Sequence, residues 1–346
     1  MKAMNISLAS LKNSKDAIKF LTNFLFLTLT TLLLISCKND DNEIPFQEII
    51  NGEELAQSIK DQRENAKQTT TISAASGGEV YGTEGTILYF PPNSFTDQDG
   101  NLVTGAVTIE LIEIYDKAKM ALTKMPTNGK RPNGDVETLV SGGEFFVNAQ
   151  QDGEQLELNN PFQLFAPTDE FNDQMALFTG ADNDCDETDL DCDVVWEEEE
   201  EDGDLEAIQR EGPNGMGVTF YMGLASNFGW TNIDRWYSDP RPKTVLSVDP
   251  PEGYDNTNSN VYISYDGEPT ALALLDIYDP DTGLFSEHYG LIPIGLEIHI
   301  IFVTVQNGDY LYAIQPATVE EDHIEVIGTT SVATEAELVA LINNLP

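Results

Sequence analysis

Short stretches rich in β-branched and aromatic residues recur along the chain from residue 69 onward, with Gly, Pro, Asn and Asp between them. Residues 69–72, 79–81, 86–90, 106–114, 144–149 and 162–165 have this texture, which predicts strands separated by turns. Asp99-Gly100 and Asp152-Gly153 are turn pairs of the kind that join neighbouring strands. In the run Val107-Thr108-Ile109-Glu110-Leu111-Ile112-Glu113-Ile114 the alternation is partial. It places Thr108, Glu110 and Ile112 on one face and buries the other. Residues 175–178, 194–196, 218–221, 244–248, 261–265, 271–278, 297–305 and 310–314 continue the series. The expected fold is all-β: two consecutive antiparallel β-sandwich domains.

Two segments depart from this texture. Residues 52–67 are helix formers with few apolar positions, which predicts a short, weakly amphipathic helix or stalk. Near the end, Thr334 followed by Glu337 forms a capping box, and Leu338, Val339, Leu341 and Ile342 predict a short helix behind it.

The first 36 residues have another logic. Lys2, Lys12, Lys15 and Lys19 precede an apolar run from Phe20 to Ile35, then the small residue Ser36; that order is a secretory signal peptide. The run is shorter than a membrane-spanning helix needs and is interrupted by Thr22, Asn23, Thr28, Thr30 and Thr31. Its ending, Leu34-Ile35-Ser36-Cys37, resembles the lipobox of bacterial lipoproteins. The resemblance implies a diacylglycerol on the Cys37 sulfur, cleavage before Cys37, and acylation of the new amino group. Each methylene buried in the membrane contributes roughly 0.8 kcal/mol, and two or three chains anchor stably where one holds marginally. The cluster Asp40, Asp41 and Glu43 behind Lys38 resembles the export signal of Bacteroidota lipoproteins displayed on the outer leaflet of the outer membrane. The expected location is therefore the outer membrane, lipid-anchored and facing outward.

The chain carries 17 Lys and Arg against 60 Asp and Glu. Removing the leader, with its four lysines and Asp16, leaves 13 basic and 59 acidic side chains, a net charge of −46. Such a body repels nucleic acid and anionic membrane surfaces, and favours solubility, divalent cations or basic partners. No nucleic-acid partner is expected; the expected partners are the membrane, through the acyl chains on Cys37, and a protein or glycan ligand.

Residues 85–95, the turn Asp99-Gly100-Asn101 and residues 105–110 resemble the ZU5-type β-sandwich found in Bacteroidota surface lipoproteins. Residues 139–147 and 174–180 continue the likeness, which covers roughly residues 69–200. Phe228-Gly229-Trp230-Thr231-Asn232-Ile233-Asp234-Arg235-Trp236-Tyr237 resembles a signature of the same lipoproteins. These likenesses imply a fold and a displayed surface more than a reaction. A shift in composition over residues 212–217, Gly-Pro-Asn-Gly-Met-Gly, marks a domain boundary. The expected organisation is residues 1–36 leader, 37–67 tether and short helix, 68–211 ZU5-like sandwich with an acidic loop, and 212–346 C-terminal sandwich with terminal helix.

Candidate chemistry is sparse. With Cys37 acylated, Cys185 and Cys192 remain as a candidate disulfide in an oxidising compartment. Asp182, Asp184, Asp186, Asp189, Asp191 and Asp193 are candidate cation ligands, because calcium takes hard oxygen donors. Neither they nor Asp97 to Asn101 have EF-hand spacing, and for the latter a plain hairpin turn is the favoured reading. Apart from that calcium, no cofactor is expected. Trp230, Trp236 and Tyr237 form a candidate ligand-binding cluster beside Asn232, Asp234 and Arg235. Core or interdomain packing is the competing reading for the aromatics, and a local ion pair for Asp234 with Arg235. His288, His299 and His323 fit no metal motif, and His299 is expected on the outer face of its strand with Glu297. No serine-nucleophile elbow is present. The leading expectation is a lipid-anchored cell-surface protein of non-enzymatic binding or structural role. Its alternatives are a glycan-binding accessory of a polysaccharide uptake system and a hydrolase with an unrecognised carboxylate pair.

Overall fold

In the computed structural model, residues 51–181, 188–199, 205–211, 217–287 and 290–346 are described. They belong to one compact unit running from Ile50 to Pro346. The fold is all-β, with several sandwich-like sheets and three short helices among the described residues.

In the first sandwich an eight-stranded sheet packs on a five-stranded one. The large sheet runs through Gln68–Ser73, Ala106–Ile114, Val136–Gln151, Gly229–Trp236, Ala176–Ala181, Val195–Glu198 and Asn128–Lys130, in that order, with the short eighth strand Glu154–Gln155 paired to the end of Val136–Gln151. The smaller runs through Glu206–Glu211, Gly217–Ala225, Phe162–Thr168, Ile87–Phe90 and Gly78–Tyr81. Val107, Ile109, Leu111, Phe145 and Val147 of the first meet Leu88, Phe90, Phe162 and Leu164 of the second in a shared core.

The 16-residue strand Val136–Gln151 also closes part of the large sheet on itself. It pairs with Gly229–Trp236 and with Asn128–Lys130, and the strands Ala176–Ala181 and Val195–Glu198 complete a ring of five. Leu139, Phe178, Trp196 and Trp230 belong to one core there. Two glycines make this approach feasible. A Cβ on Gly129 would stand 2.7 Å from the Leu139 side chain, and one on Gly180 2.9 Å from Cβ of Trp230.

The second sandwich sets a five-stranded sheet against a four-stranded one, with Val261, Ile263, Ile298, Ile300 and Phe302 meeting Leu246, Val248 and Phe285. Pairing is mostly antiparallel, but Leu246–Asp249 runs parallel to His323–Val326, and Val195–Glu198 parallel to Asn128–Lys130.

The expected boundary at residue 212 is displaced. Glu211 pairs directly with Gly217, so the composition shift lies within the connection of an antiparallel pair inside the first sandwich. Gly217–Ala225 and Gly229–Trp236, assigned from sequence to the second domain, are integral strands of the first. Glycine and proline mark a reversal of the chain equally well whether it separates domains or joins two strands.

A third core lies at the junction of the two sandwiches. It combines Ile112, Ile114, Phe146 and Trp230 with Tyr262, Ile301 and Val303, and with Leu55, Met120, Leu338 and Ile342 from the helices. Ile112, expected on a polar face, is fully buried because this core covers that side of its strand. The terminal helix Glu335–Asn343 begins with the expected Thr334–Glu337 capping box. Leu338 and Ile342 are fully buried, each contributing roughly 1.5–3 kcal/mol.

The helix Glu53–Ala66, expected as a short, weakly amphipathic helix or stalk, is docked into the same junction. Its apolar stripe is thin, with Leu55 buried and Ile59 partly so, and the rest of its hold is polar. Ser58 Oγ lies 2.8 Å from the Tyr310 hydroxyl. Arg63 enters the interior, only 1% exposed.

Candidate functional site

Arg63 organises the described part of the acidic loop. Its Nε donates to the Thr123 carbonyl at 2.7 Å, and Nη1 to the carbonyls of Leu190 and Cys192, each at 3.0 Å. Nη2 donates to the Lys124 carbonyl at 3.3 Å and to Asp193 Oδ1 at 3.2 Å. With Met125 Sδ 3.7 Å from Nη2, acceptors surround all three nitrogens and use the full set of N–H donors of a guanidinium. Asp191 pairs with Lys60, and Asp193 also with Lys124. Asp189 is taken up locally, accepting the Asp191 amide at 2.9 Å. The protein thus supplies its own cations to this end of the loop. Asp182, Asp184, Asp186 and Cys185 lie outside the described residues, as does Cys37. Cys192 is buried and disulfide-bonded, its partner outside the described residues. Among the described residues no group of three or more His, Cys, Asp or Glu is arranged to hold a metal.

The three aromatic candidates occupy different surroundings. Trp230 is 2% exposed and packs on Phe146 with ring centroids 5.4 Å apart. Trp236 is half-buried: the Arg131 guanidinium lies 3.6 Å from its ring centroid, and its indole N–H donates to Glu198 Oε2 at 2.6 Å. Tyr237 meets Tyr265 edge-on at 4.8 Å. The flat pair of exposed tryptophans needed to stack on a sugar is not formed, because the junction core buries Trp230. Nor is the Asp234–Arg235 ion pair formed. Consecutive strand residues point to opposite faces, and Arg235 Nη2 reaches both Glu268 oxygens at 2.8 Å while Asp234 is fully buried.

Asp97 is held in a hairpin turn, its Oδ1 accepting the amides of Asp99 at 3.0 Å and Asn101 at 2.8 Å. Those hydrogen bonds, chiefly from Asn101, lower its pKa. His299 Nδ1 lies 2.8 Å from Asp266 Oδ1, and His323 Nε2 2.9 Å from Glu325 Oε2. His288 lies outside the described residues.

An open groove of about 1130 Å³ runs along the strands Ala176–Ala181 and Val195–Glu198 and the turn at residues 224–227. Its walls carry both signs of charge, with Lys130 Nζ 2.8 Å from Glu197 Oε1, Glu199 bonded to Thr179, and Leu224 as an apolar patch. Polar groups of both kinds around a partly apolar concavity suit an extended polar ligand.

Sequence reasoning missed Glu144. It and Asp234 are both 0% exposed and on neighbouring strands. Burial raises both pKa values well above the carboxylate range, and for Glu144 the nearby Asp234 adds to the rise. Neither residue lines the groove. The only cue to Glu144 was its place in Val140-Ser141-Gly142-Gly143-Glu144-Phe145-Phe146-Val147, a charge inside a run otherwise small or apolar. Such a strand is buried on both faces.

No family model matches the chain, and no curated protein matches it. Among solved structures it is similar to gamma-CGTase from Alkalophilic bacillus clarkii, at 11% identity over 74% of this chain and 41% of that one, with a TM-score of 0.18. The chain thus spans less than half the length of that neighbour. The neighbour is named as an enzyme, whereas a non-enzymatic role was expected; at this TM-score the likeness decides nothing about activity.

Proposed function

We propose that the chain is an exported lipoprotein, held in the outer membrane by acyl chains on Cys37, that presents its β-rich body at the cell surface to bind a protein or glycan. One observation carries this reading: the basic, apolar and small segments of the leader end in Leu34-Ile35-Ser36-Cys37. The acidic cluster Asp40, Asp41 and Glu43 supports outward display, and the resemblance of residues 69–200 to ZU5-type surface domains is proposed with it. Among the described residues no helix is long and apolar enough to cross a membrane. The groove is the proposed binding face.

The test is metabolic labelling with a fatty acid, paired with protease treatment of intact cells. Labelled native protein and unlabelled Cys37→Ala are expected, with the native body cut by external protease. Label persisting in the variant removes the anchor from Cys37; a protease-protected body removes surface display.

A further inference from the structure

The buried carboxyls Glu144 and Asp234 lie beside Trp230 and Phe146 in the first sandwich. Glu144 stands opposite Asn232 across the paired strands, and Asp234 opposite Ser141, with an irregularity in register between them. Trp230, Asn232 and Asp234 alternate along one face of their strand, while Ile233 points into the other core. The four polar residues form one cluster: Ser141 Oγ donates to Asn232 Oδ1 at 2.9 Å, and Asn232 Nδ2 to Asp234 Oδ2 at 2.7 Å.

Three oxygens of this cluster accept nothing. Both carboxylate oxygens of Glu144, and Oδ1 of Asp234, are buried without a hydrogen-bond partner. Among the described residues no lysine or arginine is among the groups acting on either carboxyl, and the neighbouring Arg235 is paired with Glu268. Ionised, the two carboxylates repel each other in a medium that solvates neither. Protonating Glu144 removes its charge but leaves its other oxygen without a donor. A divalent cation answers both problems: it balances two negative charges and engages all three oxygens.

We propose that Glu144, Asp234 and the side-chain oxygen of Asn232 form an internal calcium site. The donors are all hard oxygens, which excludes the metals that prefer nitrogen or sulfur. Calcium fits better than magnesium, because it accepts irregular geometry, whereas magnesium demands a near-ideal octahedron and dehydrates reluctantly. The site differs from the acidic loop, where Asp191 and Asp193 are already taken by Lys60, Arg63 and Lys124. It lies inside the fold, so calcium enters as the chain folds, and its binding adds to folding stability.

The experiment refolds the body from residue 38 onward in calcium or in chelator, then measures retained metal after gel filtration and the melting temperature. One calcium per chain and a melting temperature higher by about 5 °C are expected for the native sequence. Asp234→Asn and Glu144→Gln should each retain less than a tenth of that metal and lose the calcium-dependent shift. Asp189→Asn with Asp191→Asn should keep both. Three results overturn the site: no calcium retained by the native chain, retention undiminished in Asp234→Asn and Glu144→Gln, or loss confined to the loop variant. A native chain indifferent to calcium but stabilised by acid in chelator would instead identify a shared proton. Asp234→Asn preserves shape, and the native measurement decides the matter even if Glu144→Gln fails to fold.

Discussion

The acidic loop and the buried carboxyl pair use the same chemistry in opposite circumstances. In the loop, acidic residues crowd along the sequence, and Asp191 and Asp193 are met by Lys60, Arg63 and Lys124. In the pair, two acids 90 positions apart meet in the interior with no cation from the protein. Density of acids along a chain therefore says little about which carboxylates lack partners. Exposed carboxylates tolerate one another in water and salt; buried ones do not. The crowded acids are also the ones for which the helix Glu53–Ala66 brings two of the three basic side chains.

The comparison breaks most easily at Arg63. Arg63→Met is expected to cost about 3–5 kcal/mol, the range for removing one partner of a buried charged network. Four carbonyls and Asp193 would lose their donor together. Arg63→Lys should recover little, because an ammonium has three donors and no planar fork. Chemical denaturation of the two variants checks this. A loss under 1 kcal/mol in both would mean that the loop holds itself without the guanidinium.

Much of the fold was legible because strand texture and turn chemistry are local. The capping box at Thr334 and Glu337 appears as read, and the hairpin at Asp97 to Asn101 closes on its own aspartate. What was hidden depends on contacts distant in sequence. Gly217–Ala225 returns to the first sandwich because its partners are Phe162–Thr168 and Glu206–Glu211, and nothing near Gly212 states that choice. The docking of Glu53–Ala66 was missed because a thin apolar stripe usually marks a solvated helix, whereas here one buried arginine makes much of the contact. The tryptophan cluster misled because Trp230 and Trp236, six residues apart and so on one face of their strand, sit at different depths of the same core. Trp230 is buried in it, while Trp236, at the strand's end, stays half-exposed.

Lys117 sharpens the comparison from the cationic side. Its side chain is buried, donating to Ser264 Oγ at 2.6 Å and the Tyr265 carbonyl at 3.3 Å. Burial pulls its pKa down to about 8 from 10.5, against the opposing pull of Asp266 and Glu268. Between those values the unfolded chain holds a proton that the folded one has released, so stability rises with pH through this window and levels off above it. Below pH 8 both states are protonated and this lysine adds no slope. Lys117→Met should therefore remove a rise in stability seen in the native protein between pH 8 and 10. Parallel slopes in the two proteins, followed by denaturation at pH 7, 8, 9 and 10, would show that the ammonium is solvated after all.

The smallest effect is expected at Lys60, whose partner Asp191 is also solvent-accessible. An exposed pair gains little in water, since holding two long side chains in one geometry offsets most of the attraction, and salt screens the remainder. Lys60→Ala should leave the denaturation midpoint unchanged at high salt and lower it only slightly at low salt. Combined with Arg63→Met, it should add no more than it does alone if the two cations act separately. A larger combined loss would show coupling through the shared loop backbone. The loop would then act as one network, and the contrast with the buried pair would rest on position in the fold rather than on the number of partners.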